Sequence, residues 1–195
     1  MLQDSLLKKE YFLLKGLVQL EKYIGVKFHV KTVEKDIEEQ AIHEFLSIDK
    51  MIGRHIDPKA NEGNLSMRYN GGFLIKRTGT YLAHLHEDDI VFVEKVENSK
   101  VFSTGMPSSE SIMHYEIYST RNDVEIILHF HDEDLLKKKF ETEVGPFHYG
   151  SKELAAAASE AALKSDIIKI KEHGFVILAK NKEELKEKLL NCLSH

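Results

Sequence analysis

Two histidines one residue apart, His129 and His131, close a run of strand-forming residues that begins at Val124. Side chains alternate along a strand, so the two imidazoles share one face while Phe130 points to the other. At about 3.3 Å rise per residue their Cα atoms lie roughly 6.5 Å apart, from which two rings can converge on one cation. The same pattern also fits two ordinary surface or core histidines with their own hydrogen bonds. His173 is a natural third candidate. It precedes Gly174 at a tight turn between the short apolar runs Ile167 to Lys171 and Phe175 to Leu178, where glycine allows close backbone approach. Three neutral imidazoles with an open position form the donor set of a catalytic zinc, which polarises a carbonyl oxygen or lowers the pKa of bound water.

Glu110 is the carboxylate best suited to work beside such an ion. It follows Pro107-Ser108-Ser109, a helix start in which serine oxygens can accept from free backbone N–H groups and an early acid meets the positive end of the helix. Taken alone it reads as a plain helix-start acid; beside such an ion, burial near a cleft would raise its pKa toward a value useful for proton transfer. His114, one turn later on the same face, reads as a structural partner. Gly63-Asn64-Leu65-Ser66, Thr78-Gly79 and Ser108-Ser109 each set a small residue beside a hydroxyl or amide, suited to phosphate oxygens. Each alone is an ordinary turn, and none is a GxxxxGK[ST] or GxGxxG loop.

The elements that must position these groups are legible from periodicity. Leu6 to Tyr23 carries apolar residues at helical spacing and stops at Gly25; Val26 to Val30 is β-like; Val33 to Met51 reads as a second helix. From Asn61 onward, glycines punctuate short apolar runs, including Phe73 to Ile75 and Ile90 to Val93, which predicts consecutive antiparallel strands. A helix to about Ser119, a buried strand over Val124 to His131, an Ala-rich helix over Ser151 to Lys164, a strand pair around His173-Gly174 and a helix over Lys182 to Leu193 complete the chain. Interleaved helices and strands predict an α/β or α+β class with a central sheet flanked by helices.

At 195 residues, 42% hydrophobic and 30% charged, the chain can bury a sizeable core as one domain. A net charge of −5 without a long Lys/Arg-rich stretch argues against nucleic acid as a partner. No apolar run approaches the roughly 20 residues of a membrane span. The single cysteine, Cys192, excludes an internal disulfide; with an N-terminus lacking a secretory pattern, this gives the expectation of a cytoplasmic protein.

In their order and spacing, several blocks together resemble the class II aldolase/adducin superfamily: Glu62-Gly63-Asn64-Leu65-Ser66-Met67-Arg68, Gly72 to Ile75 with Thr78-Gly79, Asp89-Ile90-Val91, Pro107 to Glu110 with His114, Asp123 to His131, and Glu172-His173-Gly174. The resemblance covers about Ile37 to Leu190. It implies a three-layer α/β/α sandwich with a mainly antiparallel central sheet over residues 35–195, usually a homotetramer with active sites between subunits, and leaves 1–34 as an N-terminal helical extension. It further implies that His129, His131 and His173 bind a divalent metal, typically Zn2+, that Glu110 is the acid/base carboxylate, and that Asn64, Thr78, Gly79, Ser108 and Ser109 hold the phosphate of a sugar phosphate. The implied activity is a metal-dependent aldolase, a lyase cleaving a phosphorylated ketose to dihydroxyacetone phosphate and an aldehyde through a metal-stabilised enediolate. A ketose-1-phosphate dehydratase and a non-catalytic adducin-like module are the alternatives; adducin heads lack the metal histidines. Residues 132–145 are short and charged where the sugar-phosphate aldolases carry a longer helix, strand and loop. Tyr149 and Tyr115 are candidates for the hydroxyl that a C-terminal tyrosine supplies in fuculose-phosphate aldolase.

Overall fold

The computed structural model describes residues 28–59 and 61–195. The helical reading of Leu6 to Tyr23 lies outside them, as does the start of the β-like stretch at Val26. The described chain runs β1 (His29–Thr32), α1 (Glu39–Ile52), β2 (Asn64–Tyr69), β3 (Gly72–Lys76), β4 (Ile90–Glu97), β5 (Lys100–Ser103), α2 (Ser111–Thr120), β6 (Ile126–Phe130), β7 (Glu143–Val144), α3 (Lys152–Ala162), β8 (Ile167–Ile170), β9 (Gly174–Ala179) and α4 (Lys182–Leu193). The nine strands form one sheet in the order β1-β5-β4-β3-β2-β6-β9-β8-β7. Every pairing is antiparallel except the two at its edges, β1 with β5 and β7 with β8, which are parallel.

Strand alternation divides the core into two layers. Leu65, Leu74, Leu128 and Ile177 face Phe45, Ile48 and Ile52 of α1 and Leu185 and Leu189 of α4. Phe73, Ile75, Ile127, Val176 and Leu178 face Ile112, Met113 and Ile117 of α2 and the alanines of α3. Helices therefore cover both faces, giving the expected α/β/α sandwich. Ala155, Ala158 and Ala162 keep the α3 face thin enough to sit close to α2 and the sheet.

Two features depart from the periodicity reading. The second helix starts at Glu39, not Val33, because the Val33 N–H bonds the Ser103 carbonyl at 3.0 Å and keeps the chain extended beside β5. The charged segment after His131, loop-like in sequence, contains a single 3-10 turn at Leu135–Lys137, with Leu135 buried, and the edge strand β7.

The loop between β3 and β4 is fixed from an unexpected direction. Asp49 of α1 is buried, and its two oxygens accept from the N–H groups of Ala83 at 2.7 Å and Leu85 at 3.0 Å. Burial pushes this carboxyl up, and the two backbone bonds oppose that rise. Replacing Asp49 with Ala strands two interior N–H groups at about 1–3 kcal/mol each. The expected outcome in thermal unfolding is a Tm lower by roughly 4–24 °C for a chain of this size, with Asp49→Asn, which keeps one acceptor, falling between the variant and the parent.

Candidate metal centre and active site

The site sits where three neighbouring strands share one end. β6 runs antiparallel to both β2 and β9, so its last residues lie beside the first residues of each. Register puts Asn64 opposite His129, and Phe175 opposite Phe130. His129 follows Ile127 on the α2 side of the sheet, and His131 extends that side beyond the strand end. The turn from β8 to β9 delivers His173: its N–H bonds the Ile170 carbonyl at 3.1 Å, and Glu172 adopts a left-handed φ of 60°.

The three imidazoles meet in space. Ring centroids of His129, His131 and His173 are 4.8–4.9 Å apart, each pair edge to face. One nitrogen from each lies within 4.8 Å of the others. His129 Nε2 is 3.0 Å from His131 Nε2 and 3.0 Å from Glu110 Oε2, and His173 Nε2 is 3.4 Å from Glu110 Oε1. Four groups from three separate stretches thus converge on one point.

The donor chemistry fits a divalent cation. His129 Nδ1 lies 3.0 Å from the Phe175 carbonyl, which can only accept, so the neutral ring carries its proton there and turns the Nε2 lone pair inward. Burial, helped by the neighbouring imidazoles, pushes His131 down to about 3; burial likewise pushes His173 down to about 4, against the pull of Glu110. Both therefore present neutral nitrogens, the form that ligates metals. For His129 burial acts downward, but the Glu110 carboxylate outweighs it and raises the ring's affinity for a proton. Glu110 itself would be pushed up by burial, yet His129 and His173 hold it below the usual carboxylate range.

Glu110 stands immediately before α2, and its placement is shared with the expected anion-binding residues. Asn64 Nδ2 donates to Glu110 Oε2 at 3.0 Å, and Ser108 Oγ accepts from the Glu110 N–H at 3.4 Å. The Ser108 N–H bonds the Lys76 carbonyl, the Thr78 N–H bonds the Met106 carbonyl, and Arg77 bridges Pro107, so the Thr78-Gly79 and Ser108-Ser109 segments run side by side. Gly79 is exposed, with open space around it. A side chain at Gly150 would lie 2.7 Å from the Ser109 carbonyl, so the loop before α3 closes against Ser109. His114 lies one turn below Glu110, fully buried, with Nδ1 2.7 Å from Ser66 Oγ; Ser66 also meets Tyr118 OH at 2.9 Å. This network ties α2 to β2, as expected of a structural partner. Of the two candidate tyrosines, burial and the charge on Glu110 both push up the Tyr149 phenol, whereas Tyr115 packs against the α2–α3 core.

Two residues beside the site are given no role in the sequence reading. Lys76 is buried, and its ammonium donates to the carbonyls of Asn61 and Thr80, joining the loops that lead to Asn64 and away from Thr78-Gly79. Burial lowers it to about 8, against the pull of Asp49, Asp89 and Glu110. Glu62 approaches His131 Nδ1 at 3.6 Å. A lysine at the end of an apolar strand gives no periodic signal of burial, and an acid before a glycine looks like any turn residue.

Close packing at Gly174 is a strict requirement. A methyl group there would collide with the Phe130 carbonyl and lie 2.8 Å from His131 Cδ2 and 3.1 Å from His129 Cε1. None of these is the free end of a flexible chain. Gly174→Ala is expected to cost about 1–3 kcal/mol through overpacking; a parental Tm in thermal unfolding would contradict the packing described.

Comparison with known proteins places this arrangement. Residues 52–137 match the Class II Aldolase and Adducin N-terminal domain. The chain is 30% identical over 158 residues to the L-fuculose phosphate aldolase of Methanocaldococcus jannaschii, covering 67% of this chain and 86% of that protein. It is 29% identical over 155 residues to that of Methanococcus vannielii, with 70% and 83% coverage. Among solved structures, an L-fuculose 1-phosphate aldolase superposes with a TM-score of 0.67 at 23% identity, over 81% of this chain and 85% of that one. The L-fuculose-1-phosphate aldolase from Thermus thermophilus gives a TM-score of 0.63 at 20% identity, over 81% and 95%. With the three-histidine cluster, the sandwich fold and these relatives in agreement, the chain belongs to the class II aldolase/adducin superfamily.

Proposed function

We propose that the protein is a metal-dependent aldolase that cleaves a phosphorylated ketose into dihydroxyacetone phosphate and an aldehyde. The observation that carries this reading is the convergence of His129, His131 and His173 on the buried carboxylate of Glu110. The three imidazoles would hold a divalent cation, in our reading Zn2+, and that ion, when bound, supplies positive charge for the oxygens of the substrate's carbonyl and adjacent hydroxyl.

Glu110 moves the proton. Placed 3.0 Å from His129 and 3.4 Å from His173, its carboxylate can take the proton from the hydroxyl on the carbon that becomes the aldehyde as the carbon–carbon bond breaks. The bonding electron pair passes to the ketone-bearing fragment as an enediolate, and the same carboxyl group returns the proton to that fragment's carbon. One proton leaves oxygen and one reaches carbon, so the step balances. Asn64 keeps the Glu110 carboxylate aimed through its 3.0 Å bond.

The adjoining segments supply the anion site. Thr78, Gly79, Ser108, Ser109 and Asn64 offer short hydroxyl, amide and backbone donors, suited to the phosphate of the substrate. The ammonium of Lys76, buried behind them, adds a fixed positive charge that favours an anionic ligand. Interactions with a phosphate far from the reacting carbons can be used to hold the substrate in register with Glu110.

The family's habit of placing active sites between subunits makes a homotetramer the natural assembly for this reading, and residues 1–34 its N-terminal extension. In the described chain no helix is long and apolar enough to cross a membrane.

Assaying triose release from a panel of ketose 1-phosphates with the zinc-loaded chain should detect dihydroxyacetone phosphate. Glu110→Gln should lower kcat by about 10²–10⁴-fold while leaving the metal bound. A dehydrated product without triose release would favour the dehydratase over the lyase, and unchanged turnover in the Gln variant would remove Glu110 from the mechanism.

A further inference from the structure

The three imidazoles differ in what their outward nitrogens meet. His129 Nδ1 meets the Phe175 carbonyl at 3.0 Å, His173 Nδ1 is buried with no hydrogen-bond partner among the described residues, and His131 Nδ1 faces Glu62 Oε2 at 3.6 Å. Histidines that bind metals are commonly oriented by a carbonyl or carboxylate on the far ring nitrogen, which fixes the tautomer and strengthens the inward lone pair. Glu62 occupies that position for His131.

Its placement is determined from both sides. The preceding carbonyl, of Asn61, accepts from the buried Lys76 ammonium at 3.0 Å. The following residue, Gly63, has a left-handed φ of 69° and sits so close to the end of β6 that a side chain there would lie 2.7 Å from the His129 carbonyl. The backbone on either side of Glu62 is thus pinned, once to β3 and once to β6, and the carboxylate is directed at the residue two beyond His129. At 3.6 Å the pair is an ion-pair contact rather than a direct hydrogen bond, so the carboxylate acts through its charge and through any water shared with the ring.

We infer that Glu62 is a positioning residue for the metal centre, holding His131 with its proton on Nδ1 so that Nε2 points at the ion. This rests on the metal-dependent reading given above. It also sets the charge of the site: Glu110 and Glu62 put two carboxylates beside the three imidazoles, and with neutral imidazole ligands a divalent cation would balance them where a monovalent one would not. A glutamine keeps the shape of the side chain and removes the charge. The side chain is about one-third exposed, so the change leaves no interior cavity.

The test is zinc affinity, by competition with a chromophoric chelator, together with the visible spectrum of the cobalt(II)-substituted protein. The full chain is compared with Glu62→Gln, Glu62→Asp and, as a control for loss of a nearby negative charge, Glu133→Gln, at the exposed residue two beyond His131 that pairs with Lys59 at 3.7 Å. Glu62→Gln is expected to bind zinc about tenfold more weakly and to shift the cobalt spectrum, at unchanged Tm of the metal-free protein. Glu62→Asp should recover part of the affinity, and Glu133→Gln should match the parent. Equal affinity and spectra for parent and Glu62→Gln would overturn the role of Glu62 and leave the metal-dependent reading standing. Equal weakening in Glu133→Gln would also overturn it, as a general charge effect. A parent chain that binds neither zinc nor cobalt would overturn both.

Discussion

The whole site depends on a buried carboxylate surrounded by imidazoles with few other places to turn. Glu110 Oε2 lies 3.0 Å from His129 Nε2, which lies 3.0 Å from His131 Nε2; Glu110 and His129 are buried, while His131 and His173 are partly open to solvent. Desolvation disfavours each charged form, and lone pairs from neutral rings directed at one another are unfavourable. A divalent cation resolves both problems at once, since it balances negative charge and accepts the lone pairs. This is why the same residues that would be a poor core make a good metal centre.

The fold is arranged to keep that crowding from relaxing. β2, β6 and β9 are adjacent and antiparallel, so Asn64, His129 and His173 come from three separate stretches whose strand ends hydrogen bonding forces together. Gly63 and Gly174 stand at the two points where backbones approach β6 too closely for any side chain. Asp49 and Lys76, one reaching from α1 and one from the end of β3, fix the surrounding loops by bonding backbone groups rather than each other. Precision thus comes from buried polar side chains used as struts, each fully committed to peptide groups.

Much of this was legible in the sequence, and the reasons differ by element. The Ala-rich helix after Ser151, the closing helix from Lys182 and the strand pair around His173-Gly174 announce themselves because capping residues and apolar periodicity agree. His129 and His131 could be placed on one face because strand alternation is strict. Their meeting with His173 could not, since strand order is a property of the fold rather than of any local pattern; the resemblance to a family supplied it. Residues 33–37 read as helix because their composition permits it, and the ladder to β5 overrode that preference. Lys76, Asp49 and Glu62 were invisible for a common reason. A charged residue is read as solvated unless something says otherwise, and what says otherwise is its partner's position in space.

The claim at the centre is that His129, His131 and His173 enclose one divalent ion next to Glu110. Anomalous diffraction at the zinc absorption edge, from crystals of zinc-reconstituted protein, measures this directly. The account predicts a single strong peak within bonding distance of all three Nε2 atoms. Absence of a peak there, or a peak elsewhere with the three rings turned apart, would contradict it.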